Sequence, residues 1–316
     1  MTFLIPRKMA IVILTIAMVT FLSSGAAIHI PVLGQGATTG QSVEIDAALT
    51  EVIREYAELF NAGKTSVLAS ELYLTPVLLV DPEDDRHVIL ETTSDVETHL
   101  KATFSQIKSA GWHHSTIHQQ SVEMAGPDMA ILSLVFSRNR SDGTTILPGK
   151  RSATFFLLKK PLGWRIIMAC KEPYKEISDP AAMRERLTQK MRRYIELLNG
   201  PSPAQGVAEE IYQFPRISRS FLGERVHKCM LSEPEVLLGL ETYLNQLKAK
   251  GMAEIRVHGT KIHSVSNNLA FVELISSRVL ADGTPIPPAD TPFSYIWVRK
   301  QSGWKMIATL AHGSAQ

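Results

Sequence analysis

The stretch Ser137 to Pro148, SRNRSDGTTILP, returns 140 residues later as Ser277 to Pro288, SRVLADGTPIPP. Extended in both directions, the same shift lays Leu100 to Ile167 over Leu240 to Ile307 without a gap, through Gln106/Gln246, Gly111/Gly251, His118/His258, Ala130/Ala270 and Gly163-Trp164/Gly303-Trp304. Upstream, with small shifts, YAELFNAG from Tyr56 matches YIELLNG from Tyr194, and ELYLTP from Glu71 matches EIYQFP from Glu210. Self-similarity of this extent identifies a duplicated domain. The 316 residues accommodate two domains of the usual ~100–150 residues. The divisions expected are a leader at 1–27, a spacer at 28–42, a first domain at 43–175 and a second at 180–313.

Each copy reads in one order. A helix is expected over Val43 to Asn61, where Ile45, Leu49, Ile53, Tyr56 and Phe60 recur at spacings of three and four; its twin carries Leu187, Met191, Tyr194 and Leu198. A short second helix, Thr65 to Tyr73, precedes an extended run from Pro76 to Val80, a turn, and a short strand at His87 to Leu90. Ser94-Asp95 opens a third helix that stops at Gly111, a residue suited to a left-handed C-cap. Strands follow at His114 to Met124, Met129 to Arg138, Ser152 to Lys160 and Trp164 to Lys171.

Helix, helix, short strands, helix and a meander ending in Gly-Trp is similar to the nuclear transport factor 2-like superfamily, which includes ketosteroid isomerase, scytalone dehydratase, limonene epoxide hydrolase and SnoaL-type polyketide cyclases. The resemblance implies an α+β fold: two tandem cone-shaped domains, each of three helices on a curved, mostly antiparallel sheet that encloses an apolar pocket. Locally the first copy resembles ketosteroid isomerase, with Tyr56 ahead of Asn61-Ala62-Gly63 and Asp81-Pro82 following 25 residues after Tyr56. That likeness implies Asp81 as general base and Tyr56 as hydrogen-bond donor to an oxyanion. The isomerase's second acid has no counterpart near Thr154 or Phe155. The second copy keeps Tyr194 but has Ser220 where Asp81 would fall.

Four further residues are candidates for ligand contact: Tyr194, a phenol on the apolar face of its helix; Trp164, at the start of the last strand; and His118 and His258, repeated in register. Each has a structural alternative, as a core tyrosine, a plug for the sheet, or a histidine at a sheet interface. Strand alternation places His114, Thr116, His118 and Gln120 on one face, but the second copy has Glu254 in place of His114, so no metal site is expected, and no cofactor motif is present. Arg138 with Asp142, and Arg278 with Asp282, flank matching turns and read as solvated hairpin charge pairs.

TFFLLKK and YIWVRK, like AILSLVF and AFVELIS, are apolar at nearly consecutive positions, which implies sheets buried on both faces. One face would line a cone. The other would pack against the same surface of the other copy, as an internal pseudo-dimer.

MTFLIPRK followed by the apolar run Met9 to Leu22 and Ser23-Ser24-Gly25-Ala26-Ala27 has the order of a secretory signal, so export to a periplasm or the exterior is expected, with an uncleaved membrane anchor as the alternative. Formal net charge is only +2, all of it from Arg7 and Lys8, which excludes the basic excess of a nucleic-acid-binding domain. Two cysteines, Cys170 and Cys229, form neither a disulfide framework nor a zinc spacing. The expected function is binding of a small apolar molecule in the first-copy cone, with cofactor-free isomerase, dehydratase or hydrolase chemistry as its catalytic form. The alternative is a non-catalytic module that binds or scaffolds a protein or cell-envelope partner.

Overall fold

The computed structural model describes residues 39–82, 86–126, 128–220 and 226–312. The leader and residues 28–38 of the spacer lie outside them. The spacer's last residues are already helical, because the first helix, α1, spans Thr39–Asn61. Nothing between Thr39 and Ser42 stops a helix, and the nearest upstream proline is Pro31.

In the first copy α1 leads to α2 (Thr65–Val67), which widens into a π-turn at Leu68–Leu72. The expected helix to Tyr73 is thus shorter. The wide turn buries Leu68, Ala69 and Leu72 together and releases Tyr73 into β1 (Tyr73–Asp81). Then come β2 (Arg86–Leu90), α3 (Thr93–Ser109), β3 (His114–Met124), β4 (Met129–Asn139), β5 (Arg151–Lys160) and β6 (Gly163–Pro173). Thr92 and Asp95 close a capping box at the start of α3. Gly111, at φ +86°, ends it in the left-handed conformation that glycine adopts without a Cβ penalty.

The second copy repeats this as α4 (Pro180–Leu198), α5 (Pro203–Glu210), β7 (Tyr212–Ser220), β8 (Val226–Met230), α6 (Glu233–Ala249), β9 (Glu254–Ser264), β10 (Leu269–Val279), β11 (Pro285–Lys300) and β12 (Gly303–Ala311). Each sheet has six strands, in the orders β2-β1-β6-β5-β4-β3 and β8-β7-β12-β11-β10-β9. Only β1 with β6, and β7 with β12, run parallel.

Strand alternation divides the apolar residues between two cores. In β5, Phe155 and Leu157 face the first copy's helices, packing with Leu49, Tyr56, Phe60, Leu100 and Phe104. Phe156 and Leu158, their neighbours, enter a core built from both sheets. In β11, Tyr295 and Trp297 face α4 and α6, while Ile296 and Val298 enter that shared core. The two sheets therefore pack face to face, with Leu78, Met129, Phe156 and Met168 of one against Leu269, Phe271, Ile296 and Ile307 of the other. The rings of Phe156 and Phe271 are centred 6.4 Å apart. Burial of each such side chain is worth roughly 1.5–3 kcal/mol.

Polar contacts frame this core. His263 is hydrogen-bonded to Glu123 of the first copy and, at 3.0 Å, to Glu273 of its own. Burial alone would lower the His263 pKa, but the two carboxylates outweigh it and raise it to about 9. Asn268 donates to Glu172 at 3.0 Å. His312, almost fully buried, joins Ser294 at 2.6 Å to Asp128 at 3.2 Å. Its ring lies 3.2 Å from where a Cβ on Gly126 would stand, so a side chain there would push the ring aside by a few tenths of an ångström, at a backbone φ of +139° that favours glycine. Cys170 and Cys229 are both free thiols.

Candidate functional site

Each cone holds a cavity between its helices and the concave face of its sheet. The first is about 230 Å³, lined by Tyr56 and Phe60 of α1, Ser115 and Ile117 of β3, Leu134, Phe136 and Arg138 of β4, Phe155 of β5 and Lys171 of β6. The second is larger, about 320 Å³, and its lining includes Tyr194, Tyr212, Arg216, Tyr243, Leu274, Arg278, Phe293, Tyr295 and Thr309. Both volumes fall at or just below the low end of small-molecule sites. None of the described residues lining either cavity is acidic.

Tyr56 and Tyr194 sit where helical periodicity puts them, and each lines the cavity of its own cone. Tyr56 packs on Phe155 with ring centres 4.9 Å apart and is hydrogen-bonded to Tyr73. Burial pushes its pKa up to about 12 against the opposing influence of Tyr73 and Arg138, so the phenol stays protonated. The pair recurs as Tyr194 and Tyr212, whose hydroxyls lie 3.4 Å apart. Tyr295, where the first copy has Phe155, packs edge-on to Tyr194 at 5.5 Å.

The other sequence candidates are placed elsewhere. Asp81 closes β1, half-exposed and 3.7 Å from Arg86, and is not among the residues that line the first cavity. The structure thus does not bring Asp81 and Tyr56 to one cavity. Trp164 is buried in the helix-facing core rather than at the cavity surface. His118 is exposed and meets Ser137 at 3.0 Å; His258 likewise meets Ser277 at 2.9 Å. Neither histidine lines a cavity, because alternation from cavity-lining Ser115 and Ile117 in β3, and from Ile255 in β9, places each on the opposite face, beside Ser137 and Ser277; a bulge also falls at each. Ile117 pairs with Phe136 and Gln119 with Val135, leaving His118 as the extra residue, and His258 is skipped in the same way between Val257 and Gly259. The bulge also sets Gln120 opposite cavity-lining Leu134, so Gln120 does not share the face of His114.

Arg138 and Arg278 also depart from expectation. Asp142 and Asp282 bind Thr144 and Thr284 within their own turns, while the arginines turn inward to the cavities. Alternation carried this signal, since Arg138 lies two residues beyond Phe136 and four beyond Leu134, both of which line the first cavity. Burial, with Arg151 nearby, lowers the Arg138 pKa to about 10. Lys171 beside it is lowered to about 8, by burial first and Arg138 second.

In the second cone the guanidinium of Arg216 lies 3.6 Å from the centre of the Tyr212 ring and donates to Thr309. Arg278 lies 4.7 Å over Phe293 and donates to the Tyr243 hydroxyl through Nε at 3.1 Å and Nη2 at 2.8 Å. Arg216 is 3% exposed and Arg278 5%. Sequence reasoning passed over Arg216, although it stands on the face of β7 that carries Tyr212 and Ser218, both cavity residues.

A family model described as NTF2-like protein (DUF6841) matches residues 45–173 and again 181–314. The chain belongs to this NTF2-like family, in two tandem copies. An NTF2-like protein with a cystatin-like fold from Novosphingobium aromaticivorans is 16% identical over 48% of this chain and 97% of its own, with a TM-score of 0.36. A nuclear transport factor 2-like superfamily protein from Salmonella enterica is 15% identical over 44% of this chain and 98% of its own, with a TM-score of 0.33. No curated protein matches the chain.

With phenols, guanidiniums and an amine, but neither a carboxylate nor an imidazole among their described lining residues, the cavities are equipped to hold a ligand and donate hydrogen bonds to it. Two Ser–His–Asp groupings occur among the described residues: in one, Ser277 donates to Asp290 at 2.9 Å with His258 also 2.9 Å from the serine, outside both cavities; in the chain of Ser294, His312 and Asp128, Ser294 is fully buried between the sheets and donates to the carbonyl of Ala125. That chain fastens the copies together and has no room for a substrate.

Proposed function

We propose that this protein is a tandem small-molecule-binding protein whose cones each take an apolar ligand, the second cone being the principal site. What carries the reading is a pair of cavities of about 320 and 230 Å³, walled by aromatic and aliphatic side chains with a few convergent polar groups. The second cone is favoured over the first by its greater volume and its four tyrosines. Binding rather than proton transfer is favoured by the placement of Asp81 away from the first cavity. The scaffolding alternative has less support, because the sheet face it would offer a partner is occupied by the other copy.

Titration with the neutral fluorescent probe N-phenyl-1-naphthylamine tests this. Two binding equivalents are expected, with Leu134→Trp removing the first-cone equivalent and Leu274→Trp the second by filling the space. Absence of binding in the intact chain would refute the proposal. We further propose that residues 1–27 direct export. Mass analysis of the protein from its native source should find the chain beginning near Ile28, and a retained leader would instead support the membrane-anchored form.

A further inference from the structure

An unpaired charge is expensive inside a protein, several kcal/mol even after relaxation, so buried guanidiniums are normally found with carboxylates. The second cone holds two that are not. Arg216 and Arg278 are each more than nine-tenths buried, and both line the same cavity. Their partners are neutral: Thr309 and the Tyr212 ring for one, the Tyr243 hydroxyl and the Phe293 ring for the other. Arg216 Nε and Arg278 Nη1 have no hydrogen-bond partner at all. The aromatic contacts hold each planar group in place without neutralising it, which is how a preorganised anion site is built.

Both arginines border one aromatic cluster. Tyr194 packs edge-on against Tyr295 at 5.5 Å and Tyr295 stacks on Phe293 at 6.0 Å. A ligand lying against these rings is thereby presented to donors from β7 and β10. Each guanidinium already spends part of its fork on a protein group, so a planar acceptor with two oxygens, one for each arginine, suits the donors that remain.

We propose that the second cone binds an aromatic carboxylate, its anionic head held by Arg216 and Arg278 and its apolar body by the tyrosine cluster. This rests on the reading of the cone as a ligand site and adds the chemical class of the ligand. Among its described residues the cavity wall supplies no neutralising carboxylate, so the ligand completes the electrostatics of the site, and its binding stabilises the protein by mass action.

The test compares 2-naphthoate with 2-naphthalenemethanol, its neutral counterpart, by calorimetry on the full chain. Naphthoate is expected to bind at least tenfold more tightly than the alcohol and to keep that preference at high salt, since a buried pair is little screened. Arg216→Met and Arg278→Met should each abolish the preference of acid over alcohol, and Arg278→Lys should retain part of it. Retention of the first-cone equivalent of N-phenyl-1-naphthylamine shows that each variant is folded. Equal affinities of acid and alcohol in the wild-type chain would overturn the anion assignment and leave the binding reading intact. If neither compound binds, that reading of the second cone fails and the assignment with it. A preference that vanishes at high salt, or that survives both methionine variants, places the anion elsewhere and overturns the proposal.

Discussion

The two cones carry the same number of basic side chains at their cavities but share only one of them by descent. Arg138 and Arg278 occupy matching positions, as do Tyr56 with Tyr194 and Tyr73 with Tyr212. The second cation differs in origin. Lys171 on β6 lines the first cavity where the second copy has Ala311, whereas Arg216 on β7 lines the second where the first has Val77, each following the proline of its strand. An unpaired cation is costly against an apolar wall. One that disappears from one strand and returns on another, within the same kind of cavity, indicates that positive charge in the cone is the retained property rather than any particular residue. The cones also differ in how they hold the inherited arginine: Arg278 has Tyr243 and Phe293 for partners, and the first copy has Thr103 and Ala153 at those positions.

The largest effect that would break this comparison comes from separating the copies. Residues 43–175 expressed alone expose their half of the shared core and should self-associate or precipitate; a soluble monomer by analytical ultracentrifugation would contradict the paired-sheet account. Next, Phe156→Ala and Phe271→Ala should each cost about 3–5 kcal/mol in urea denaturation. A loss below about 1 kcal/mol for either one would show that the copies contribute unequally to the interface.

Lys171→Met tests the first cone's second cation. With the folded-state pKa lowered to about 8 from an ordinary 10.5, the unfolded chain holds more protons between those values, and wild-type stability rises with pH across that window. The variant should therefore melt about 2–4 °C higher than wild type at pH 7. Its advantage should shrink from pH 8 upward and be gone above pH 10.5; a constant advantage would mean that Lys171 is not titrating in the cavity. His263→Gln should act in the opposite sense. The raised pKa makes the His263 contribution complete below pH 6.5 and lost as pH rises through about 9, so the variant's deficit in Tm should be widest near pH 6 and close above pH 9. Smallest of all, Asp81→Asn should leave first-cone affinity for N-phenyl-1-naphthylamine within twofold, and a greater loss would return Asp81 to the site.

The fold was legible because its signals were local and came twice. Hydrophobic spacing located α1 and α4, Gly111 marked the end of α3, and double-sided apolar strands such as TFFLLKK implied a second buried face. The sites were less legible. Alternation put Arg138 in the cone, but a nearby aspartate on the same turn suggested a solvated pair, and only the fold shows that Asp142 is occupied by Thr144. A bulge invisible to a two-residue period turned Gln120 away from the face of His114. The pairing of Arg216 with Arg278 joins residues more than sixty positions apart, a proximity that no motif encodes and that depends on β7 and β10 facing one cavity.

The face-to-face sheets have a consequence for mass action. Two identical subunits joined this way would dissociate on dilution, and every substitution in one pocket would appear in the other. Here both halves belong to one chain, with only the short segment from Tyr174 to Asp179 between β6 and α4, so their association is independent of protein concentration. The same linkage releases each pocket from having to match its twin, so that a lysine in one and an arginine in the other can tune two affinities within a single molecule.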